Sequence, residues 1–535
     1  MENKNKYILA VDLGTSGPKT ALVSVYGEVI GSEFMDTPII LLPGGGAEQN
    51  PEGWWNAIMS TAKKLLRREL TAPENIVAIS VTAQWSGTVA LDSEGNHLMN
   101  AMIWMDSRGA EAVKEILDGL VKIEGYPLLK FMTWMKLTGG APSHSGKDSL
   151  CHILWLKKNR PDLYRKTYKF LEPKDYINFR FTGKFAATQD SILLHWVTDN
   201  RDPLRVVYND RLLKIARLER DKLPDLIRAM DILGPIKKEI ATDLGLKPDT
   251  PVIGGTPDVP SAGVGSGAVR DYEGHLYIGT SSWLSAHVPF KKTDIIHNFG
   301  SFPSPLPGRY LILSEQECAG KCLTWLRDNF LYHKDELMKD EKAPDIFKVL
   351  DKIVGRAPAG SNSVIFTPWL FGERSPVDDC HIRASLFNLS LENTREDILR
   401  SVFEGVAFNT KWLLGPIEKF MKRSFDHINF IGGGANSDVW SQIMADILER
   451  KIRQVKDPIY SNARGAAFLA SMALKYITLE QIPQDIKIKA EYTPNPDNRK
   501  IYDELFAEFL NHYKTQKTAC ARLNRRAPGV CALPQ

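Results

Sequence analysis

Asp12-Leu13-Gly14-Thr15-Ser16-Gly17 lies between two apolar runs, residues 7–11 and residues 20–25. The pattern reads as strand, tight turn, strand, with a carboxylate, two hydroxyls and two glycines gathered at the turn. Gly14 and Gly17 let the backbone approach a ligand closely, and Thr15, Ser16 and Lys19 are donors suited to phosphate oxygens. Asp12 is placed to face a hydrated cation. A second turn of the same type follows residues 275–278: Gly279-Thr280-Ser281-Ser282, then residues 283–286. Taken alone, either turn is an ordinary hairpin. Two of them, one in each half, point to a duplicated fold closing around a nucleotide.

The chain has 535 residues, enough for several domains of about 150 each. Its net charge is only +4 and is spread along the sequence, which argues against a nucleic-acid or membrane-surface partner. The basic stretch at residues 514–526 reads as a solvated end. Six cysteines in so long a chain make no disulfide framework, and Cys318 and Cys322 lack two further ligands at zinc spacing. Buried free thiols in a reducing cytoplasm are expected. No apolar run reaches the length of a membrane span, and the N-terminal one is too short for a signal peptide.

Residues 51–70 carry Trp55, Ile58, Met59, Ala62 and Leu66 at helical spacing, behind Pro51-Glu52. Residues 76–81 form an apolar run of buried-strand type, delivering Gln84-Trp85-Ser86-Gly87. Trp104-Met105-Asp106-Ser107-Arg108 closes another apolar segment. Both are expected to end strands of one sheet and so face one cleft. For Trp104, Asp106 and Arg108 the plainer alternative is a buried indole beside a surface ion pair. In the second half, residues 395–414 read as helix and residues 427–431 as strand. A boundary between residues 1–268 and 269–535 follows the small-residue stretch Gly263-Val264-Gly265-Ser266-Gly267.

Pro251-Val252-Ile253 runs into Gly254-Gly255-Thr256-Pro257-Asp258, and small residues continue to Ala268, as in a helix packed closely on a neighbour. Asp258 falls in that helix's first turn, where a carboxylate is electrostatically favoured. There it serves either as a base for a substrate hydroxyl or merely as a cap. Gly432-Gly433-Gly434-Ala435-Asn436 is a glycine turn between strand and helix, without the spacing of a dinucleotide fingerprint. No Walker-type sequence occurs, so ATP chemistry here is not of the P-loop kind.

Together these residues resemble the FGGY carbohydrate kinases, of the sugar kinase, Hsp70 and actin superfamily. The likeness runs from Ile8 to about Leu479. It is carried by Asp12 to Ser16, Gln84-x-x-Gly87, Trp104-x-Asp106-x-Arg108, Asp258 in its helix, Ile278 to Ser281, Gly372-Glu373-Arg374-Ser375-Pro376, Gly432 to Ala435, and Arg464-Gly465-Ala466-Ala467.

The resemblance implies an α/β fold of two actin-like (ribonuclease H-like) ATPase domains, with ATP and sugar in the cleft between them. Asp12 would hold Mg2+. Thr15 and Thr280, with Ser16, Lys19 and Gly279, would bind the phosphates, and Gly433, Gly434 and Asn436 would border the adenosine. Asp258 would be the general base, and Gln84, Trp85, Ser86, Trp104 and Asp106 would bind sugar. D-xylulose is the expected substrate, with gluconate, ribulose and glycerol as alternatives, and a homodimer as the assembly considered. A catalytically silent sugar-binding or actin-like ATPase relative is the competing class, and Asp258 speaks against it. Xylulokinase-like members usually carry Met-His where this chain has Trp85-Ser86, and Lys where it has His152. The identity of the sugar turns on that departure.

Overall fold

The computed structural model describes residues 5–123, 125–331 and 347–524. Two mixed sheets organise it. The first has six strands in the spatial order Ile232–Pro235, Pro251–Ile253, Ile76–Ala83, Tyr7–Gly14, Gly17–Ser24 and Val29–Phe34. Tyr7–Gly14 pairs antiparallel with Gly17–Ser24 and parallel with Ile76–Ala83. The second sheet has eight strands and repeats this centre: Gly274–Ile278 is antiparallel to Ser282–Val288 and parallel to His427–Ile431. Each sheet thus has at its centre a hairpin whose first strand pairs parallel with a later strand. This is the α/β, actin-like arrangement, built twice.

The two units meet through helix Asp258–Gly265 and helix Ser461–Ala473. A Cβ at Gly265 would stand 1.8 Å from the Ser461 carbonyl oxygen, and one at Gly465 would stand 1.9 Å from that of Ser261. Only glycine allows backbones so close. The small-residue stretch is therefore a packing surface, as its composition suggests.

Several expectations are corrected. The first helix is Pro51–Leu66, not 51–70, because Glu69 turns to φ 51° and Pro73 follows. The later helix runs through Pro416 to Met421, since buried Ile417, Phe420 and Met421 extend its apolar face past the proline. Ala101–Met102 does not share a sheet with Ile76–Ala83. It pairs with Gly46–Gln49 in a separate three-stranded sheet.

Cys151, Cys318 and Cys322 are buried and free, while Cys380 and Cys520 are partly exposed. Helix Arg499–Leu523 takes up most of the basic tail, and Arg525 and Arg526 lie outside the described residues. Among the described residues no helix is long and apolar enough to cross a membrane.

Candidate active site

The first hairpin turns through Thr15 and Ser16, and Gly17 holds φ 142° because a Cβ there would stand 2.0 Å from the Met35 carbonyl oxygen. Ser16 is exposed and Thr15 half-buried. The Thr15 hydroxyl accepts the Trp104 indole N–H at 2.9 Å and donates to Gln84 Oε1 at 3.2 Å. Gln84 in turn donates to Gln49 at 2.8 Å. One hydrogen-bonded set thus brings together Thr15, Gln84 and Trp104. Lys19 Nζ donates to the Ile459 carbonyl at 3.0 Å, beside the Tyr460 ring.

Asp12 and Asp258 form the electrostatic centre. Asp12 is buried, and its side chain accepts the Asn462 amide at 3.5 Å. Burial raises its pKa, against the opposing charge of Lys19 and the Asn462 hydrogen bond. Asp258 opens helix Asp258–Gly265, and its Oδ1 accepts the Val259 N–H at 2.9 Å. Burial pushes this carboxyl up to about 7, and the charges of Asp12 and Glu315 push the same way, against the Val259 hydrogen bond. Pro257, not Asp258, holds the cap position, so capping does not account for the carboxylate. Two buried carboxyls whose pKa values are both raised, with an Asn462 Oδ1 beside Asp12 that is buried and unpartnered among the described residues, fit a divalent cation and its water.

The second hairpin turns through Gly279, Thr280 and Ser281, with Thr280 exposed. Its carbonyls are held by the N–H groups of Ala319, Gly320 and Lys321, at the start of helix Gly320–Leu326. Gly432 and Gly434 press on Ile278, the residue before that turn: their Cβ positions would stand 2.5 Å from its carbonyl oxygen and 2.6 Å from its Cγ2. Gly433 and Asn436 are exposed beside them. The glycine turn and the second hairpin therefore form one surface.

Asp106, Trp85 and Ser86, expected on the sugar side, each have partners within the protein. Asp106 is fully buried, and its oxygens accept the Ala47 N–H at 2.9 Å, the Arg108 N–H at 3.0 Å and the Arg108 guanidinium. Its ion pair is internal rather than on the surface. With both oxygens engaged within the protein, Asp106 supports the Trp104 segment. The Trp85 indole N–H donates to the Ser191 carbonyl at 2.8 Å, and its ring packs with Leu193 and Val206. The Ser86 hydroxyl donates to the Lys147 carbonyl at 2.9 Å, with Ser86 at φ 61°. Both side chains thus spend their donors within the protein. His152 is buried between Thr88 Oγ1 and the Asp106 carbonyl, and burial lowers its pKa.

Sequence reasoning missed an ionic group bridging the two halves. Arg374 pairs with Glu315 at 2.5 Å and with Glu317, and lies 5.9 Å from the centre of the Trp104 ring. Lys147 reaches Glu317 at 3.9 Å. Glu373 accepts the Glu317 N–H at 2.9 Å and holds the segment that leads into helix Gly320–Leu326. The Gly372 to Pro376 stretch carried the signal for Glu373 and Arg374. Glu315, Glu317 and Lys147 sit in no distinctive local pattern.

Residues 7–265 match the N-terminal domain of the FGGY family of carbohydrate kinases, and residues 276–474 match its C-terminal domain. The chain belongs to this family, whose members are phosphotransferases with an alcohol group as acceptor. It is 28% identical to the xylulose kinase of Bacillus subtilis over 524 residues, covering 96% of this chain and 97% of that one. It is also 28% identical to the gluconokinase of the same organism over 511 residues, covering 94% and 95%. Among solved structures, the gluconate kinase of Lactobacillus acidophilus superposes with a TM-score of 0.84 at 26% identity, over 97% of this chain and 100% of that one.

Proposed function

We propose that the protein is a cytoplasmic kinase that transfers the γ-phosphoryl group of ATP to a hydroxyl of a neutral ketose, with D-xylulose as the leading substrate. Asp258 carries this reading: a buried carboxyl pushed up to about 7, at a helix start where it feels the charge of Asp12 at the first hairpin. At physiological pH such a group takes a proton from an alcohol and holds it as the phosphoryl group transfers. Residues 1–268 supply the sugar side and the first phosphate turn; residues 269–535 supply the second turn and the adenosine side.

Thr15, Ser16, Lys19, Gly279 and Thr280 line the phosphate path in this reading, and Gly433, Gly434 and Asn436 border the base and ribose. Gln84 and Trp104 face the sugar. Asp12 would hold a magnesium ion through water, and that ion would supply charge neutralisation of the phosphates. The charge at the site favours a neutral acceptor over a sugar acid. A substrate carboxylate would meet Asp258, Glu315 and Glu317, while Arg374 and Lys147 are already paired with those glutamates. The name of the gluconokinase relative keeps gluconate in the test.

ADP release by purified protein against D-xylulose, other ketoses, gluconate and polyols decides among them. The expected result is highest kcat/KM for a ketose; a preference for gluconate overturns the neutral-acceptor reading. The Trp85-Ser86 pair gives a second check. Trp85→Met with Ser86→His removes the indole and adds a ring near the sugar. A hydrogen bond gained or lost there is worth about 0.5–1.5 kcal/mol, so the ratio of kcat/KM for D-xylulose to that for the next best sugar rises several-fold. KM for ATP stays within about twofold. An unaltered ratio would leave Trp85 as a packing residue alone.

A further inference from the structure

We propose that the buried segment Glu172-Pro173-Lys174-Asp175 is a clamp that sets the spacing between the sugar-side loop, residues 84–87, and the backbone that delivers Asp258, with Lys174 as its positioning residue. The proposal rests on the reading of Asp258 as base and of this loop as the sugar side. All four residues are buried: Glu172 follows strand Lys169–Leu171, and Pro173, Lys174 and Asp175 open helix Pro173–Thr182.

The clamp grips the loop at two points. The Glu172 carboxylate accepts the Gly87 N–H at 3.0 Å and the hydroxyl of Ser149. Pro173 fills the space where a Gly87 side chain would begin, its Cγ 2.4 Å from that Cβ position. Further on, Asp175 Oδ2 accepts the Ser191 hydroxyl at 2.6 Å, and the Ser191 carbonyl accepts the Trp85 indole N–H at 2.8 Å. The conformation of residues 84–87 is thus referred back to residues 172–175.

The same segment grips the approach to Asp258. Lys174 Nζ donates to the Gly254 carbonyl at 2.9 Å and to the Asp175 carboxylate. Asn178 Nδ2 joins it on Gly254 at 2.7 Å. Gly255 follows with φ 70°, locked where a Cβ would stand 2.0 Å from the Val81 carbonyl oxygen. Thr256 then donates to Asp190, a buried carboxylate that also feels the Lys174 charge. Every residue from Gly254 to Thr256 is fixed by this network or by the strand beneath it, and Asp258 comes two residues later.

The Lys174 ammonium holds the arrangement because it is the shared partner. It has two acceptors in a buried site, and its charge acts on the carboxylates of both Asp175 and Asp190. Removing it leaves both carboxylates buried without their cation, so they and their hydroxyl partners must move. Trp85 hangs from Ser191, and the Gly254 carbonyl hangs from Lys174 itself and Asn178. A shift of about 1 Å at a reacting group costs up to roughly 10²-fold in rate.

Lys174→Met keeps the stem and removes the ammonium. Steady-state kinetics with D-xylulose, or with whichever panel sugar the wild type turns over best, reads the effect. The expected result is a ~30-fold loss in kcat and a ~10-fold rise in KM for the sugar, with KM for ATP within about twofold. A role in stability alone would lower Tm and the active fraction and leave both KM values in place; that outcome overturns the proposal. Ser191→Ala, which removes one hydroxyl and keeps the carbonyl that holds Trp85, decides if Lys174→Met does not fold. A ~5-fold higher sugar KM at constant ATP KM is expected there, and an unchanged sugar KM overturns the clamp. Asp258→Asn measured in parallel separates the two readings. Retained turnover in that variant sinks the base assignment, whereas the sugar KM of the Lys174 variant tests the clamp on its own.

Discussion

Asp258→Asn is expected to lower sugar-dependent turnover at least ~100-fold, with Mg-ATP affinity within about twofold of wild type. The substitution keeps the side chain's size and its acceptor for the Val259 N–H, and removes only the basicity. Near-normal turnover in this variant would show that the proton goes elsewhere. The pH profile carries a second signature. A base must be deprotonated, so wild-type turnover should rise with pH toward about 7 and level above it. Bound magnesium moves the inflection to lower pH, because a cation favours the carboxylate.

Stability gives an independent readout of the same carboxyl. In the folded protein it titrates at about 7, against an ordinary aspartate value near 3.9 when unfolded. Between those values the folded state keeps a proton that the unfolded state has released, so the free energy of unfolding falls as pH rises through this window. Asn at 258 never ionises and escapes that loss. Apo Asp258→Asn should therefore melt above wild type at pH 8, with the gap closing toward pH 4. A wild type that melts higher at both pH values would mean that Asp258 is ionised without strain.

The second large effect is expected from Asp12→Ala. The magnesium concentration for half-maximal activity should rise about tenfold or more, and turnover should fall with it, because the ion's charge offsets that of the phosphates. Asp12 also raises the pKa of Asp258, so its removal should shift the apo titration of Asp258 to lower pH. An unchanged magnesium titration would remove Asp12 from the cation site. An unmoved Asp258 titration would mean that the two carboxyls do not sense each other.

Hairpins and glycine turns were legible in the sequence because they are local. A turn such as Gly14 to Gly17 depends on dihedral angles that few residues adopt, and the apolar runs on either side announce the strands. The small residues from Ala262 to Ala268 could be read as a packing surface for the same kind of reason: the missing side chains are themselves the signal. The limits of local reading show at Pro416, where a helix continued through a residue that normally ends one, because buried side chains beyond it were stabilised by the core.

The two hairpins, the repeated order of elements, the helix that presents Asp258 and the kind of chemistry the chain performs can all be read from the order of residues. Which polar groups already have partners inside the protein emerged only from the folded arrangement. Asp106 was spent on Arg108 and Ala47, Trp85 on Ser191 and Ser86 on Lys147, partners up to 106 residues away. It also assembled Lys147, Glu315, Glu317 and Arg374, and it placed Lys174 between Asp175 and Gly254. Backbone demands are written in neighbouring residues. Charge compensation and hydrogen-bond saturation depend on distances across the fold, which no local pattern encodes.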